Sequence, residues 1–198
     1  MSGYFVTLSD VKDPEVYGVY VKQAPGVMAD FTGTMRVRGG QRVHLEGPQS
    51  PDRIVIVEFD SLEQGVACYN SPEYDVIKSP AKDAADVIIS GLTGEKSQGL
   101  EPGNKAGILV VKLRIHDKEK YAAYSAEASK TLPGWDAALI AVGPLTPVLG
   151  DETYESCLLL RYPSLEKAVE YYNWSEYQKL IPQRQAVADT QMFAVEGL

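Results

Sequence analysis

The chain repeats itself, and a repeat constrains a fold more than composition does, because each copy must form the same supersecondary unit. Residues 57–74 read VEFDSLEQGVACYNSPEY and residues 160–177 read LRYPSLEKAVEYYNWSEY, with eight identities in eighteen positions at an offset of 103. Upstream, Asp13, Glu15, Tyr17 and Tyr20 answer to Asp117, Glu119, Tyr121 and Tyr124 at an offset of 104, so a loop between has lost one residue. Residues 94–103 are polar and rich in Gly and Pro, which suits a surface linker. The sequence therefore divides into a first module at 1–94, a linker at 95–104 and a second module at 105–198.

Each module reads as βαββαβ, the ferredoxin-like order. In the first, Tyr4 to Ser9 is strand-like. Asp13 caps a helix with Pro14 at its first position, and Val16, Tyr17, Tyr20, Val21 and Ala24 form its apolar stripe. Pro25-Gly26 should break or kink that helix. Thr34 to Arg38 and Arg42 to Glu46 read as strand segments around Gly39-Gly40, and Arg53 to Phe59 as the next strand. Ser61 with Gln64 has the form of a capping box before a helix that buries Leu62, Val66 and Tyr69. A short helical turn starts at Ser71-Pro72-Glu73 and stops at Pro80, and Asp86 to Gly91 closes the unit. The second module repeats the pattern with strands near 107–115, 136–149, 157–162 and 189–195.

The run Ile54-Val55-Ile56-Val57 is apolar at consecutive positions, so both faces of that strand must be covered. Helices cover one face. The sheet of the second copy is the economical cover for the other, and the expected fold is α+β: two modules packed sheet to sheet as an intramolecular dimeric α+β barrel.

Composition narrows the classes of function. Net charge is −8, spread as −5 over residues 1–100 and −3 over 101–198, which offers no basic face for nucleic acid. No apolar run exceeds strand length, and the residues after Met1 lack the basic and apolar regions of a secretion signal, so the reading is of a cytoplasmic protein with no membrane span. Cys68 and Cys157 fall in unlike elements and read as reduced, buried thiols. With only His44 and His116 and no metal-ligand spacing, no metal site is expected; without a phosphate-cradling glycine loop, no nucleotide cofactor is expected.

Four motifs in order, Asp13-Pro14-Glu15 with Tyr17 and Tyr20, Val37-Arg38-Gly39-Gly40, Ile56-Val57-Glu58-Phe59-Asp60-Ser61 and Tyr69-Asn70-Ser71-Pro72-Glu73-Tyr74, resemble a small bacterial family of the dimeric α+β barrel superfamily. The resemblance covers residues 3–94. The second copy matches less well: it keeps Ser164-Leu165-Glu166 and Tyr172-Asn173 but has Val142-Gly143-Pro144 where Arg-Gly-Gly would end. The resemblance implies fold and pairing, since such modules are usually single and pair as homodimers. It carries no reaction. The wider superfamily holds cofactor-free monooxygenases, cyclases and isomerases acting on aromatic or polyketide-like molecules, haem-degrading enzymes and plain ligand-binding modules.

Extended backbone at 42–46 would place Arg42, His44 and Glu46 on one face. With Arg38 and Glu58 expected nearby, His44, Arg38 and Glu58 form a candidate catalytic set: an imidazole and a carboxylate for proton transfer, and a fixed cation for an enolate or phenolate. Tyr17, Tyr20 and Tyr69 are candidate substrate-binding residues, an aromatic wall with hydroxyl donors. Simpler roles stand beside these: a strand histidine, arginines guarding a sheet edge, a carboxylate in an ion pair and tyrosines in a core. At the 103 offset Arg38, His44 and Glu58 become Ala141, Pro147 and Arg161, so a working set would exist once per chain. Three functions follow. The first is a cofactor-independent enzyme of secondary metabolism, of cyclase, isomerase or monooxygenase type, acting on an aromatic or polyketide-like substrate. The second is a non-catalytic small-molecule-binding module, and the third a structural pseudo-dimer, with further homo-oligomerisation left open.

Overall fold

The computed structural model describes residues 1–49, 51–101 and 103–198. The chain forms two compact units. The first holds β1 (Ser2–Val11), α1 (Pro14–Asp30), β2 (Thr34–Arg38), β4 (Arg53–Phe59), α2 (Leu62–Tyr69), α3 (Pro72–Lys78), a 3₁₀ turn at Ser79–Ala81, β5 (Ala85–Gly94) and β8 (Thr146–Leu149). The second holds β3 (Arg42–Glu46), β6 (Gly107–Ile115), α4 (Lys118–Ser129), β7 (Ala138–Pro144), β9 (Ser156–Tyr162), α5 (Leu165–Asn173), α6 (Ser175–Gln178), α7 (Ile181–Gln185) and β10 (Ala188–Glu196).

Strand order is β2-β4-β1-β5-β8 in the first unit and β7-β9-β6-β10-β3 in the second, antiparallel throughout. Each unit is thus a four-stranded βαββαβ module of the dimeric α+β barrel fold plus one edge strand drawn from the other copy's sequence. Two expectations change here. The segments 34–38 and 42–46, read together around Gly39-Gly40, join different units, and the stretch read as one strand at 136–149 is two strands, β7 and β8, that likewise join different units. Gly39, at a φ of 74°, supplies the left-handed residue at which the chain leaves β2.

Local chemistry explains the helices. Asp13 accepts from the amides of Glu15 and Val16, and Ser61, Ser71 and Ser164 each accept from the amide three residues on. Gly3 and Gly107 sit beneath these caps. A Cβ on Gly3 would stand 2.3 Å from the Leu62 nitrogen, and one on Gly107 2.2 Å from the Ser164 carbonyl oxygen. Only glycine lets the helix start lie that close to the strand.

Helix α1 does not stop at Pro25; it runs on to Asp30. Proline has no N–H for the carbonyl of residue 21, and the Arg38 guanidinium donates to that Val21 carbonyl instead, at 3.3 Å. The buried stripe of α1 is Tyr17, Ala24 and Met28; Val16 is exposed. Ile54, Val55, Ile56 and Val57 are all buried, as consecutive apolar residues require. Val55 and Val57 pack in the helix-side core with Phe5, Phe59 and Tyr74. Cys68 and Cys157 are buried, and burial pushes the Cys68 thiol up to about 11, away from a nucleophilic thiolate. No helix is long and apolar enough to cross a membrane among the described residues.

Candidate functional site

In the first unit a cavity of about 670 Å³ lies between the helices and the outer end of the sheet. Tyr17 and Tyr20 reach it from α1, Tyr69 from the end of α2 and Tyr74 from α3, while Ala81, Val87, Ile89 and Leu149 supply its apolar wall. The helical spacing that marks the Tyr17–Tyr20 stripe therefore points both rings at the hollow. Tyr20 and Tyr74 share a short hydroxyl–hydroxyl hydrogen bond, their rings edge to face at 6.1 Å. The Tyr17 hydroxyl is held by Ser9 Oγ at 2.9 Å.

Burial pushes the Tyr20 hydroxyl up to about 12, with the bond from Tyr74 acting against it, and raises Tyr74 and Tyr69 as well. All three are neutral at physiological pH and serve as donors, not bases. Lys78 at the mouth is already engaged. Its ammonium stands 2.7 Å from Asp75, donates to the Tyr69 carbonyl and lies 3.9 Å from the Tyr69 ring centroid.

The structure does not gather His44, Arg38 and Glu58 into this cavity. Arg38 is exposed on β2 and serves the Val21 carbonyl. Glu58 is buried on β4, where Oε1 accepts from Ser2 Oγ at 2.7 Å and from the Ser97 amide at 3.1 Å, and Oε2 accepts from Arg36 Nε at 2.8 Å and from Ser97 Oγ. Burial pushes this carboxyl up, but the hydrogen bonds from Ser97 and Ser2 and the Arg36 charge outweigh it and hold it below the usual carboxylate range. His44 is exposed on β3 in the second unit, opposite Phe193 of β10.

Glu46 does not share a face with His44 either. A bulge between Met192 and Phe193 sets Glu46 opposite Met192 and His44 opposite Phe193, so the two side chains point to opposite faces of the sheet. The expected alternation fails because the extra residue resets the register.

Glu46 is instead part of a group that the sequence pattern did not reveal. The 103 offset continues past Tyr74: Ala84 accepts from the amides of Lys12 and Asp13 as Val187 does from those of His116 and Asp117. Ala81 is thus matched by Arg184, and Val87 by Thr190. Leu149, opposite Ile89, is matched by Glu46, opposite Met192. Arg184 is 1% exposed and fills the place that Ala81 leaves open. Its guanidinium donates to Tyr124 Oη at 3.2 Å, to Thr190 Oγ1 at 2.6 Å and to Glu46 Oε1, whose second oxygen accepts from Gln185 Nε2 at 2.9 Å. The tyrosines persist: Tyr121, Tyr124, Tyr172 and Tyr177 answer to Tyr17, Tyr20, Tyr69 and Tyr74, with Tyr124 and Tyr177 hydroxyls 3.1 Å apart. Extending the alignment of the two copies to residue 184 would have disclosed the exchange of Ala for Arg.

Comparison with known proteins places this geometry. A family described as a domain of unknown function (DUF1330) matches residues 2–92 and again residues 106–198. No curated protein matches. Among solved structures, an anthrone oxidase-like protein superposes with a TM-score of 0.62 at 13% identity, covering 100% of this chain and 91% of its own. A heme-binding protein from Thermus thermophilus superposes with a TM-score of 0.55 at 8% identity, covering 100% and 91%. These likenesses concern the fold.

Proposed function

We propose that this chain, which belongs to the DUF1330 family through both of its modules, is a small-molecule-binding protein whose ligand sits in the tyrosine-lined hollow of the first unit. One observation carries the reading: the same scaffold is built twice, and only the first copy has an alanine where the second drives an arginine into the space. A cavity of about 670 Å³ with an apolar wall, kept open where the other copy has a ready-made plug, supports an occupant. An apolar wall with a few convergent hydroxyls is the usual make-up of such a site.

A catalytic form of this reading uses the same cavity. The Tyr20–Tyr74 pair is a protonated donor in the cavity, the kind of group that stabilises a developing oxyanion. That supports cofactor-independent cyclase, isomerase or monooxygenase chemistry on an aromatic or polyketide-like substrate, with tyrosine in place of His44, Arg38 and Glu58 as the polar group. The heme-binding neighbour suggests a further occupant, but the residues present do not fit one. Histidine, cysteine and methionine are missing from the described lining, burial holds Tyr20, Tyr69 and Tyr74 as neutral phenols and not the phenolates that ligate iron, and His116, 3.1 Å from Asp189, lies outside it.

Thermal-shift screening of the protein against a metabolite library tests the proposal, since a ligand of the native state raises the melting temperature. Hits should lose their shift in Ala81→Phe and keep it in His44→Ala. Shifts that survive Ala81→Phe would refute the site.

A further inference from the structure

The two copies also indicate what kind of molecule the hollow takes. In the second unit the occupant is a side chain, a guanidinium, and its surroundings are those a cation needs: a carboxylate from Glu46, a hydroxyl from Thr190 and a hydroxyl from Tyr124. In the first unit the carboxylate position is Leu149 and the threonine position is Val87, while the tyrosine position is kept as Tyr20. A buried charge there would find no counter-ion on that wall, and the cost of desolvating it would stand uncompensated. Charges near the mouth are already matched: Lys78 with Asp75 at 2.7 Å and Lys12 with Asp86 at 2.5 Å. Lys82 and Asp151, of opposite sign, stay exposed at the rim.

One polar feature remains. In the Tyr20–Tyr74 pair one hydroxyl donates to the other, which uses one of two protons. The second proton needs an acceptor, and in the other copy the equivalent pair differs in that Arg184 Nε donates into it at Tyr124. The second copy's pair thus meets a donor, whereas the first pair faces the hollow and offers its spare proton to an acceptor. Around it stand rings whose centroids are 5.5 to 6.1 Å apart, offering edges and faces to a planar guest.

We infer that the ligand is a neutral aromatic molecule with one oxygen acceptor, an aryl ketone or similar carbonyl compound, whose oxygen accepts from the Tyr20–Tyr74 pair. The inference rests on the binding reading above and narrows it. Calorimetric titration of the full chain with four probes of one ring size tests it: 2-acetylnaphthalene, naphthalene, 2-naphthoate and 2-naphthylmethylammonium. The ketone should bind about tenfold tighter than naphthalene, the worth of one well-placed hydrogen bond, and at least tenfold tighter than either ion.

In Tyr20→Phe the ratio of ketone to naphthalene affinity should fall to within about twofold of one. Ala81→Phe should abolish binding of the ketone; circular dichroism checks that it folds, and Ala81→Leu replaces it if it does not. If the naphthoate or the ammonium binds tightest and Ala81→Phe removes that binding, the ligand class is overturned and the cavity stands. A ketone advantage that persists in Tyr20→Phe overturns the class in the same way. If probes bind wild type and the filled variant alike, or none binds, the inference fails, and in the first case the binding reading fails with it.

Discussion

The two tyrosine quartets share a scaffold and differ in what they enclose. Around Tyr20 and Tyr74 the wall is Ala81, Val87 and Leu149; around Tyr124 and Tyr177 it is Arg184, Thr190 and Glu46. Three positions therefore separate a hollow from a plugged site. The plug is not an obvious gain in stability, because a buried ion pair barely repays its desolvation. What it does is commit that space to one arrangement, while the first copy leaves the space to a guest. The edge strands carry one member of each set: β8 brings Leu149 to the hollow and β3 brings Glu46 to the plug. The same bulge, repeated at Ile89/Ser90 and Met192/Phe193, turns each of these residues toward the helices.

The largest effect should follow from breaking the plug. Glu46→Ala leaves the Arg184 guanidinium buried without its carboxylate and is expected to cost about 3–5 kcal/mol in urea unfolding. The matched change, Leu149→Ala, removes a side chain that is 39% exposed and should cost on the order of 1 kcal/mol. Similar losses at the two positions would show that Arg184 is not a plug. Replacing the set together, Arg184→Ala with Glu46→Leu and Thr190→Val, should open a second hollow and raise the binding stoichiometry of an aryl ketone from one to two.

The shared parts of the scaffold should respond alike. Gly3→Ala and Gly107→Ala each force a Cβ into the start of a helix, α2 or α5, and each should cost about 1–3 kcal/mol by denaturant titration. A large difference between them would mean that the two copies diverge beyond their contents.

Glu58 marks a further divergence, since its counterpart is Arg161. Its folded-state carboxyl lies below the ordinary value, so the stability it contributes is present above the unfolded value near pH 4.3 and is lost as the pH falls through the lower folded value. Glu58→Gln should weaken hydrogen bonds to a charged group, each worth about 1.5–3 kcal/mol. It should also flatten this acid limb of a stability–pH profile. An unchanged limb would remove Glu58 from the account.

Most of the fold was legible because it is written locally. Asp13, Ser61 and Ser71 announce helix starts, the consecutive apolar residues at 54–57 announce a strand buried on both faces, and the tyrosines announce themselves by spacing. What was illegible is relational. The composition of 42–46 says strand without saying that β10 is its partner, and no propensity foretells the bulge that turns Glu46 away from His44. Tyr17, Tyr20 and Tyr69 are legible in the sequence as a ligand wall, but what keeps the hollow open is not, because it is a small residue, Ala81, whose meaning appears only beside Arg184. Strand pairing also shifts one match: Arg38, opposite Val55, corresponds to Val142, opposite Leu158, and not to Ala141, so the missing residue lies beyond β7.

The match of Arg38 with Val142 bears on where the first helix of each copy ends. In the first copy α1 passes through Pro25 to Asp30, while in the second α4 ends at Ser129, the residue aligned with Pro25. The first has Arg38 to satisfy the Val21 carbonyl; the second has Val142, which cannot donate. Arg38→Ala should therefore cost about 0.5–1.5 kcal/mol and speed amide exchange in residues 26–30, since water can partly replace an exposed donor. Pro25→Ala restores an N–H to that carbonyl, so in its background the Arg38→Ala penalty should vanish. Should Arg38→Ala cost the same with and without Pro25, its hydrogen bond is not what carries the helix past the proline, and Arg38 becomes available again for the anion-binding role its charge first suggested.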